Sequence, residues 1–129
     1  MRIEHVALWV ADIDRVCAFY ERFFGARTGP LYENPAKGFS SRFLSFAAGA
    51  RIEVMTTTTL TVAPQAPGSQ RMGLTPFALQ LDSESAVDRV TAEIRAAGHE
   101  VLDGPRRTGD GYYESVVLDT EGNRVELVA

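Results

Sequence analysis

Leu118-Asp119-Thr120-Glu121-Gly122-Asn123-Arg124-Val125-Glu126-Leu127 reads as the end of one strand, a tight acidic turn and the start of another. Gly122-Asn123 supplies the turn chemistry. Arg124-Val125-Glu126-Leu127 alternates polar and aliphatic residues with the period of two expected of a half-buried strand. The same pattern stands earlier in the chain, where Phe43-Leu44-Ser45-Phe46 leads through a glycine turn into Arg51-Ile52-Glu53-Val54. Both hairpins close on Arg-aliphatic-Glu-aliphatic, so the chain carries an internal repeat.

The repeat extends over both halves. Ile3-Glu4-His5-Val6-Ala7-Leu8-Trp9-Val10-Ala11-Asp12 aligns with Leu74-Thr75-Pro76-Phe77-Ala78-Leu79-Gln80-Leu81-Asp82, each a strand running into an acidic turn. A helix follows each one. Val16, Phe19, Tyr20, Phe23 and Phe24 form one apolar stripe ended by Gly25. Val87, Val90, Ile94 and Ala97 repeat the spacing, with Ser83 or Ser85 as N-cap and Gly98 as the stop. Strand-like runs then fall at 26–32, 40–46 and 51–55 in the first half and at 99–104, 112–118 and 124–128 in the second.

The predicted fold is therefore α+β, two tandem βαβββ repeats whose curved mixed sheets surround a cavity. Repeat one covers 1–55 and repeat two 74–129, together one domain over 1–129. The segment 56–73, with four consecutive threonines, Pro64 and Pro67, reads as the linker. A half-sized unit has one sheet face covered by its helix and the other bare, so the bare faces are expected to share the cavity.

Composition narrows the function classes. A chain of 129 residues with 45% hydrophobic content builds one ordinary core. No apolar run reaches the roughly 18 residues of a membrane span, and the opening residues lack a signal-peptide pattern, so a cytoplasmic protein with no membrane partner is expected. One cysteine, Cys17, excludes an internal disulfide framework. The net charge of −4 is interspersed, and Arg106-Arg107 is the only adjacent basic doublet, which argues against a nucleic-acid partner.

Alternation sorts the candidate site. Val6, Leu8 and Val10 suit the helix side of the first strand, leaving His5, Ala7 and Trp9 on the bare face. In the same way Ile52 and Val54 turn to the helix, and Arg51, Glu53 and Met55 to the cavity. Val125 and Leu127 turn to the helix, and Arg124, Glu126 and Val128 to the cavity. Singly, each of His5, Glu53 and Glu126 reads as an ordinary strand residue. It is their coincidence on one face, with the glutamates at equivalent places in two repeats, that points to a ligand set. Imidazole nitrogen and carboxylate oxygen suit a divalent Zn, Ni, Co, Mn or Fe ion.

Trp9 and Met55 share that face as pocket walls. In Gly109-Asp110-Gly111-Tyr112-Tyr113-Glu114-Ser115, alternation places Tyr112 and Tyr113 on opposite faces, and either is a substrate-pocket candidate. Arg42 and Lys37, flanking Phe39, read first as solvated surface charge, with closure over an anionic substrate as the alternative. His99 is expected at the surface.

These residues, from Ile3-Glu4-His5-Val6-Ala7-Leu8 through Phe23-Phe24-Gly25 and Arg51-Ile52-Glu53-Val54 to Asp119-Thr120-Glu121-Gly122-Asn123-Arg124-Val125-Glu126-Leu127, resemble glyoxalase I and its relatives. These form the glyoxalase/bleomycin-resistance/dioxygenase family, the vicinal oxygen chelate superfamily. The resemblance spans nearly the whole chain; Thr120 stands where that family usually has proline. It implies four metal ligands, one from the first and one from the last strand of each repeat. His5, Glu53 and Glu126 match the first, second and fourth. The third falls on Pro76, which offers neither a coordinating side-chain atom nor a backbone N–H.

Two readings follow. One is a metal-dependent lyase or isomerase acting on a small carbonyl compound, with three protein ligands and Glu126 as the catalytic proton carrier. The other is a metal-free small-molecule binding protein of bleomycin-resistance type. The one-His, two-carboxylate set differs from the two-His, one-carboxylate triad of the extradiol dioxygenases. The resemblance also implies a homodimer.

Overall fold

The computed structural model of the protein describes residues 1–61 and 76–129. The chain divides into two compact units, Met1–Ala63 and Pro64–Ala129, each built from one helix and one mixed sheet. This is the α+β architecture that the duplicated pattern predicts.

In the first unit β1 (His5–Trp9) runs parallel to β5 (Arg51–Thr57), and β4 (Phe39–Ser45) lies antiparallel to β5. Two short strands, β2 (Arg27–Thr28) and β3 (Tyr32–Asn34), both pair with β4. Helix α1 (Ile13–Phe24) packs on β4 and β5. It starts where the Asp12 carboxylate accepts the Arg15 N–H at 2.9 Å, an N-cap that satisfies one orphan donor. It buries Ile13, Val16, Cys17, Phe19, Tyr20 and Phe23. Leu44, Ile52 and Val54 are buried with them on the sheet, each such side chain worth about 1.5–3 kcal/mol of transfer free energy.

Gly25 ends α1 in the left-handed region at φ 62°, and its N–H donates to the Glu21 carbonyl at 3.2 Å. A Cβ there would meet nothing within 4 Å, so Gly25→Ala tests backbone strain alone. The expected loss is about 1–2 kcal/mol in a denaturant titration.

The strand expected over 26–32 is two pieces. Thr28 pairs with Leu44 and Tyr32 with Ser41, so four steps on one strand face three on the other. The extra residue falls among Gly29, Pro30 and Leu31, where Pro30 has no N–H for the ladder. A 3₁₀ turn, Pro35–Lys37, follows β3 and was not foreseen. β5 also runs past the expected end of the first repeat at 55, because Thr56 and Thr57 pair with Ser40 and Phe39. β-branched threonines favour a strand, so the linker begins later than its composition suggests. Most of the linker, with Leu74 and Thr75, lies outside the described residues.

The second unit repeats the plan. β6 (Phe77–Gln80) runs parallel to β9 (Arg124–Val128), followed across the sheet by β8 (Tyr113–Leu118) and β7 (Val101–Arg107), both antiparallel to their neighbours. Helix α2 (Glu84–Ala96) covers one face; Ser83 is the N-cap, accepting the Ala86 N–H at 3.2 Å. Val87, Val90, Ile94, Val117, Val125 and Leu127 form the core. Within it the Thr91 and Ser115 hydroxyls meet at 2.6 Å, which satisfies two polar groups that burial would otherwise penalise. The turn between β8 and β9 is held by Asp119, which is 5% exposed. Its carboxylate accepts the Glu121 N–H, the Asn123 N–H and the Asn123 side-chain amide, each at 2.9 Å.

Candidate functional site

The register of each sheet fixes which side chains stand away from the helix. In the first unit Val6 and Leu8 alternate with the exposed His5, Ala7 and Trp9, while Ile52 and Val54 are buried and Arg51, Glu53 and Met55 are partly open. His5 pairs with Arg51, Ala7 with Glu53, and Trp9 with Met55. On the other side Phe43 pairs with Glu53 and Ser41 with Met55. The face opposite α1 therefore carries His5, Ala7, Trp9, Arg51, Glu53, Met55, Phe39, Ser41 and Phe43.

His5 and Glu53 come together there, with Nε2 of His5 3.7 Å from Oε2 of Glu53. That is too long for a hydrogen bond. It is shorter than two metal–ligand bonds of about 2.0–2.2 Å laid end to end, so one ion can touch both atoms. Glu53 is mostly shielded, its side chain 17% exposed against 39% for His5. Ala7 beside it is too small to cover its carboxylate. The other imidazole nitrogen, Nδ1, lies 2.6 Å from Oε2 of Glu4. Arg51 binds the opposite oxygen of Glu4 through Nε at 2.8 Å and also through Nη2. The His5 hydrogen bond, then Arg51, holds the Glu4 carboxyl below its ordinary range. The His5 ring meets Phe43 edge-on at 5.4 Å between centroids, and the Arg51 guanidinium lies 4.0 Å over the same ring.

Alternation along single strands did not reveal Glu4 or Phe43 as partners. Phe43 was legible in principle, since residues 39, 41 and 43 share a parity, but its placement beside Glu53 needs the β4–β5 register.

An aromatic group continues the face away from the pair. Trp9, 51% exposed, meets Phe39 edge-on at 6.0 Å, and Phe39 meets Tyr32 at 6.2 Å. A groove of about 440 Å³ opens beyond Phe39, lined also by Glu33, Asn34, Ser40, Thr56, Thr57 and Thr58. It includes neither His5 nor Glu53, so the chemistry-bearing pair and the groove are separate features of the unit. Arg42 does not join this face: it donates to Asp14 of α1 at 3.2 Å and to the Gly29 carbonyl at 3.1 Å. Its parity places it on the helix side with Val54, away from the face of Glu53.

In the second unit Glu126 stands opposite Ala78 on β6 and Val116 on β8. Glu53 stands opposite Ala7 in the same manner, so Pro76 occupies the place that His5 holds in the first unit. Pro76 is described and half-buried, just ahead of β6. Glu114 shares the face of Glu126, and Arg106 lies 3.7 Å from its carboxylate. Burial pushes the Glu126 carboxyl up, the negative Glu114 pushes it further, and Arg124 pulls it partly back.

The sign of that shift gives a pH prediction. A carboxyl whose folded value is raised favours the fold while it is protonated, and that contribution is lost as pH rises through the folded value. Glu126→Gln is therefore expected to stabilise the protein at about pH 8, by less than ~1 kcal/mol because solvent screens the site, and to change little near pH 3. Thermal melts of both proteins across that range check it.

The two tyrosines separate. Tyr113 donates its hydroxyl to Asp88 of α2 at 2.6 Å, on the helix side with Ser115. This removes it from the face of Glu126 and corrects its candidacy for a pocket there. Tyr112 precedes β8 and is 55% exposed. His99, three residues past the end of α2, is partly exposed, and its backbone N–H donates to the Ile94 carbonyl at 3.1 Å. Among the described residues no group of three or more His, Cys, Asp or Glu is placed to hold a metal ion. No helix among them is long and apolar enough to cross a membrane.

Residues 2–127 match the profile of the Glyoxalase/Bleomycin resistance protein/Dioxygenase superfamily. The fold is similar to a glyoxylase/bleomycin resistance protein/dioxygenase domain from Frankia sp. EAN1pec, with a TM-score of 0.83 and 16% identity over 99% of this chain and 90% of that one. It is also similar to the trypanothione-dependent glyoxalase I of Leishmania major, with a TM-score of 0.75 and 18% identity over 99% and 86%. Glyoxalase I from Zea mays gives a TM-score of 0.77 and 22% identity over 98% of this chain, which spans 44% of the maize chain. A search of curated proteins returns no match.

Proposed function

Because this chain belongs to the Glyoxalase/Bleomycin resistance protein/Dioxygenase superfamily, we propose that it is a divalent-metal-dependent lyase or isomerase of glyoxalase I type acting on a small carbonyl compound. The observation that carries the reading is the His5–Glu53 pair, an imidazole nitrogen and a carboxylate oxygen 3.7 Å apart on an open sheet face. His5 and Glu53 are the proposed ligands of the first unit, and Glu126 the proposed ligand of the second, where Pro76, at the equivalent of His5, contributes none. A bound Zn, Ni, Co, Mn or Fe ion would supply Lewis-acid polarisation of the carbonyl oxygens.

The chain's own residues supply the rest. Glu126, whose carboxyl burial and the negative Glu114 push above its ordinary value, is the proposed carrier that accepts a proton from carbon and returns it. Trp9, Met55 and Phe39 give an apolar wall that orients a substrate and excludes water. Two copies of the chain are expected to associate, which a sedimentation experiment decides.

Metal analysis of the purified protein, incubated in turn with Ni, Co, Zn and Mn and freed of excess ion, tests the reading. About one ion per chain is expected. No retained ion from any of the four ends it.

The exposed Trp9–Phe39–Tyr32 group favours a second reading, a metal-free protein that sequesters a small aromatic compound. Its signature is thermal stabilisation by such a ligand that a chelator leaves unchanged.

A further inference from the structure

We propose that Glu4, clamped by Arg51, is a positioning residue that fixes His5 as its Nδ1–H tautomer and so presents the Nε2 lone pair on the Glu53 side. Nδ1 of His5 lies 2.6 Å from Oε2 of Glu4. An ionised carboxylate only accepts, so Nδ1 carries the hydrogen; a neutral imidazole has one donor and one acceptor nitrogen, so Nε2 carries the lone pair. The opposite tautomer would set a lone pair against a negative oxygen. Nε2 faces the Glu53 carboxylate at 3.7 Å, which also favours a proton there, but a carboxylate beyond hydrogen-bond reach pulls less than one at 2.6 Å, so Nδ1 wins the single hydrogen of the neutral ring.

Three contacts keep Glu4 in place. Its Oε1 accepts from Nε of Arg51 at 2.8 Å, which leaves Oε2 to His5. Its backbone carbonyl accepts the Arg51 N–H at 3.0 Å, tying the start of β1 to the start of β5. The Arg51 guanidinium rests over Phe43 at 4.0 Å, and the edge-on contact of His5 with that same ring sets the imidazole plane. One aromatic ring thus orients both the clamp and the histidine. A carboxylate on the far nitrogen is the arrangement that holds ligating histidines in one tautomer and raises their basicity. The consequence for metal affinity rests on the proposed function; the tautomer itself does not.

The test uses the full chain, metal-free and labelled with ¹⁵N, at about pH 8, where an ordinary histidine is neutral. Long-range ¹H–¹⁵N spectra distinguish protonated from bare ring nitrogens, and His5→Gln assigns the signals of His5 against those of His99. The wild type is expected to show His5 protonated at Nδ1 and bare at Nε2. Glu4→Ala is expected to move the population toward Nε2–H. Glu4→Gln, which keeps an acceptor oxygen, should retain much of the wild-type state. Amide spectra that match away from the first residues of β1 and β5 show that the fold is intact.

An Nε2–H tautomer in the wild type, or a tautomer indifferent to Glu4→Ala, overturns the proposal. In a nickel titration Glu4→Ala is expected to weaken binding about 10–100-fold. Unchanged nickel affinity beside an altered tautomer overturns the positioning role. A wild type that binds no nickel ends the metal-enzyme reading, and the tautomer spectra still decide this one.

Discussion

Nickel at about one hundred times its dissociation constant is expected to stabilise the wild-type protein by about 2.7 kcal/mol, and His5→Ala or Glu53→Ala to remove that gain. The size follows from mass action: an ion bound to the folded chain alone adds stability in proportion to the logarithm of its excess. For a chain of this size the gain corresponds to a rise in melting temperature of roughly 10 °C. His5 is half exposed and the Glu53 side chain makes no hydrogen bond among the described residues, so either alanine variant should fold without metal much as the wild type does. A melt series with and without nickel, closed by addition of chelator, checks the expectation. Retention of the full gain in both variants would place the ion elsewhere.

Asp119→Ala is expected to destabilise the protein by about 2–4 kcal/mol. The carboxylate is nearly enclosed and accepts three N–H bonds inside the turn that joins β8 to β9. Truncation removes the shared acceptor of those donors. Bonds to a charged acceptor are stronger than neutral ones, and losing one partner exposes the desolvation cost of the others. Asp119→Asn, which keeps one acceptor oxygen, should recover part of the loss. The variant also tests whether the turn positions Glu126 seven residues on, because a loosened turn lets the β9 register slip. Denaturant titration measures the loss, and a change of less than about 0.5 kcal/mol would show that solvent replaces the carboxylate.

The duplicated fold was legible because hydrophobic periodicity survives in both halves. The stripe from Val16 to Phe23 and the alternation through Arg51-Ile52-Glu53-Val54 and Arg124-Val125-Glu126-Leu127 report burial directly, and burial dominates which elements form. The break at Pro30 and the extension of β5 through Thr57 were not legible in the same way. Each depends on what the partner strand offers, and a strand's own composition is silent about that. Thr91 shows the point in the core, for a threonine there is tolerated only because Ser115 supplies its hydrogen bond.

The candidate site divides along the same line. Which face His5, Glu53 and Glu126 occupy follows from parity along single strands, and the structure gives each of them that parity. The two tyrosines could not be told apart until the β8–β9 register placed Tyr113 with Ser115 on the helix side. Glu4 escaped notice because it precedes the regular strand, where alternation no longer sorts side chains. Its role emerges only from the distances to His5 and Arg51.

The proposed function puts a divalent ion at the His5–Glu53 pair. Addition of Mn²⁺ to the ¹⁵N-labelled protein, read residue by residue, tests it most directly, because a paramagnetic ion broadens the signals of nearby nuclei. The account predicts early loss of the amide signals of His5, Ala7, Phe43 and Glu53, reversed by chelator and absent in His5→Ala. Broadening centred on residues away from this pair, or none at saturating Mn²⁺, would contradict it.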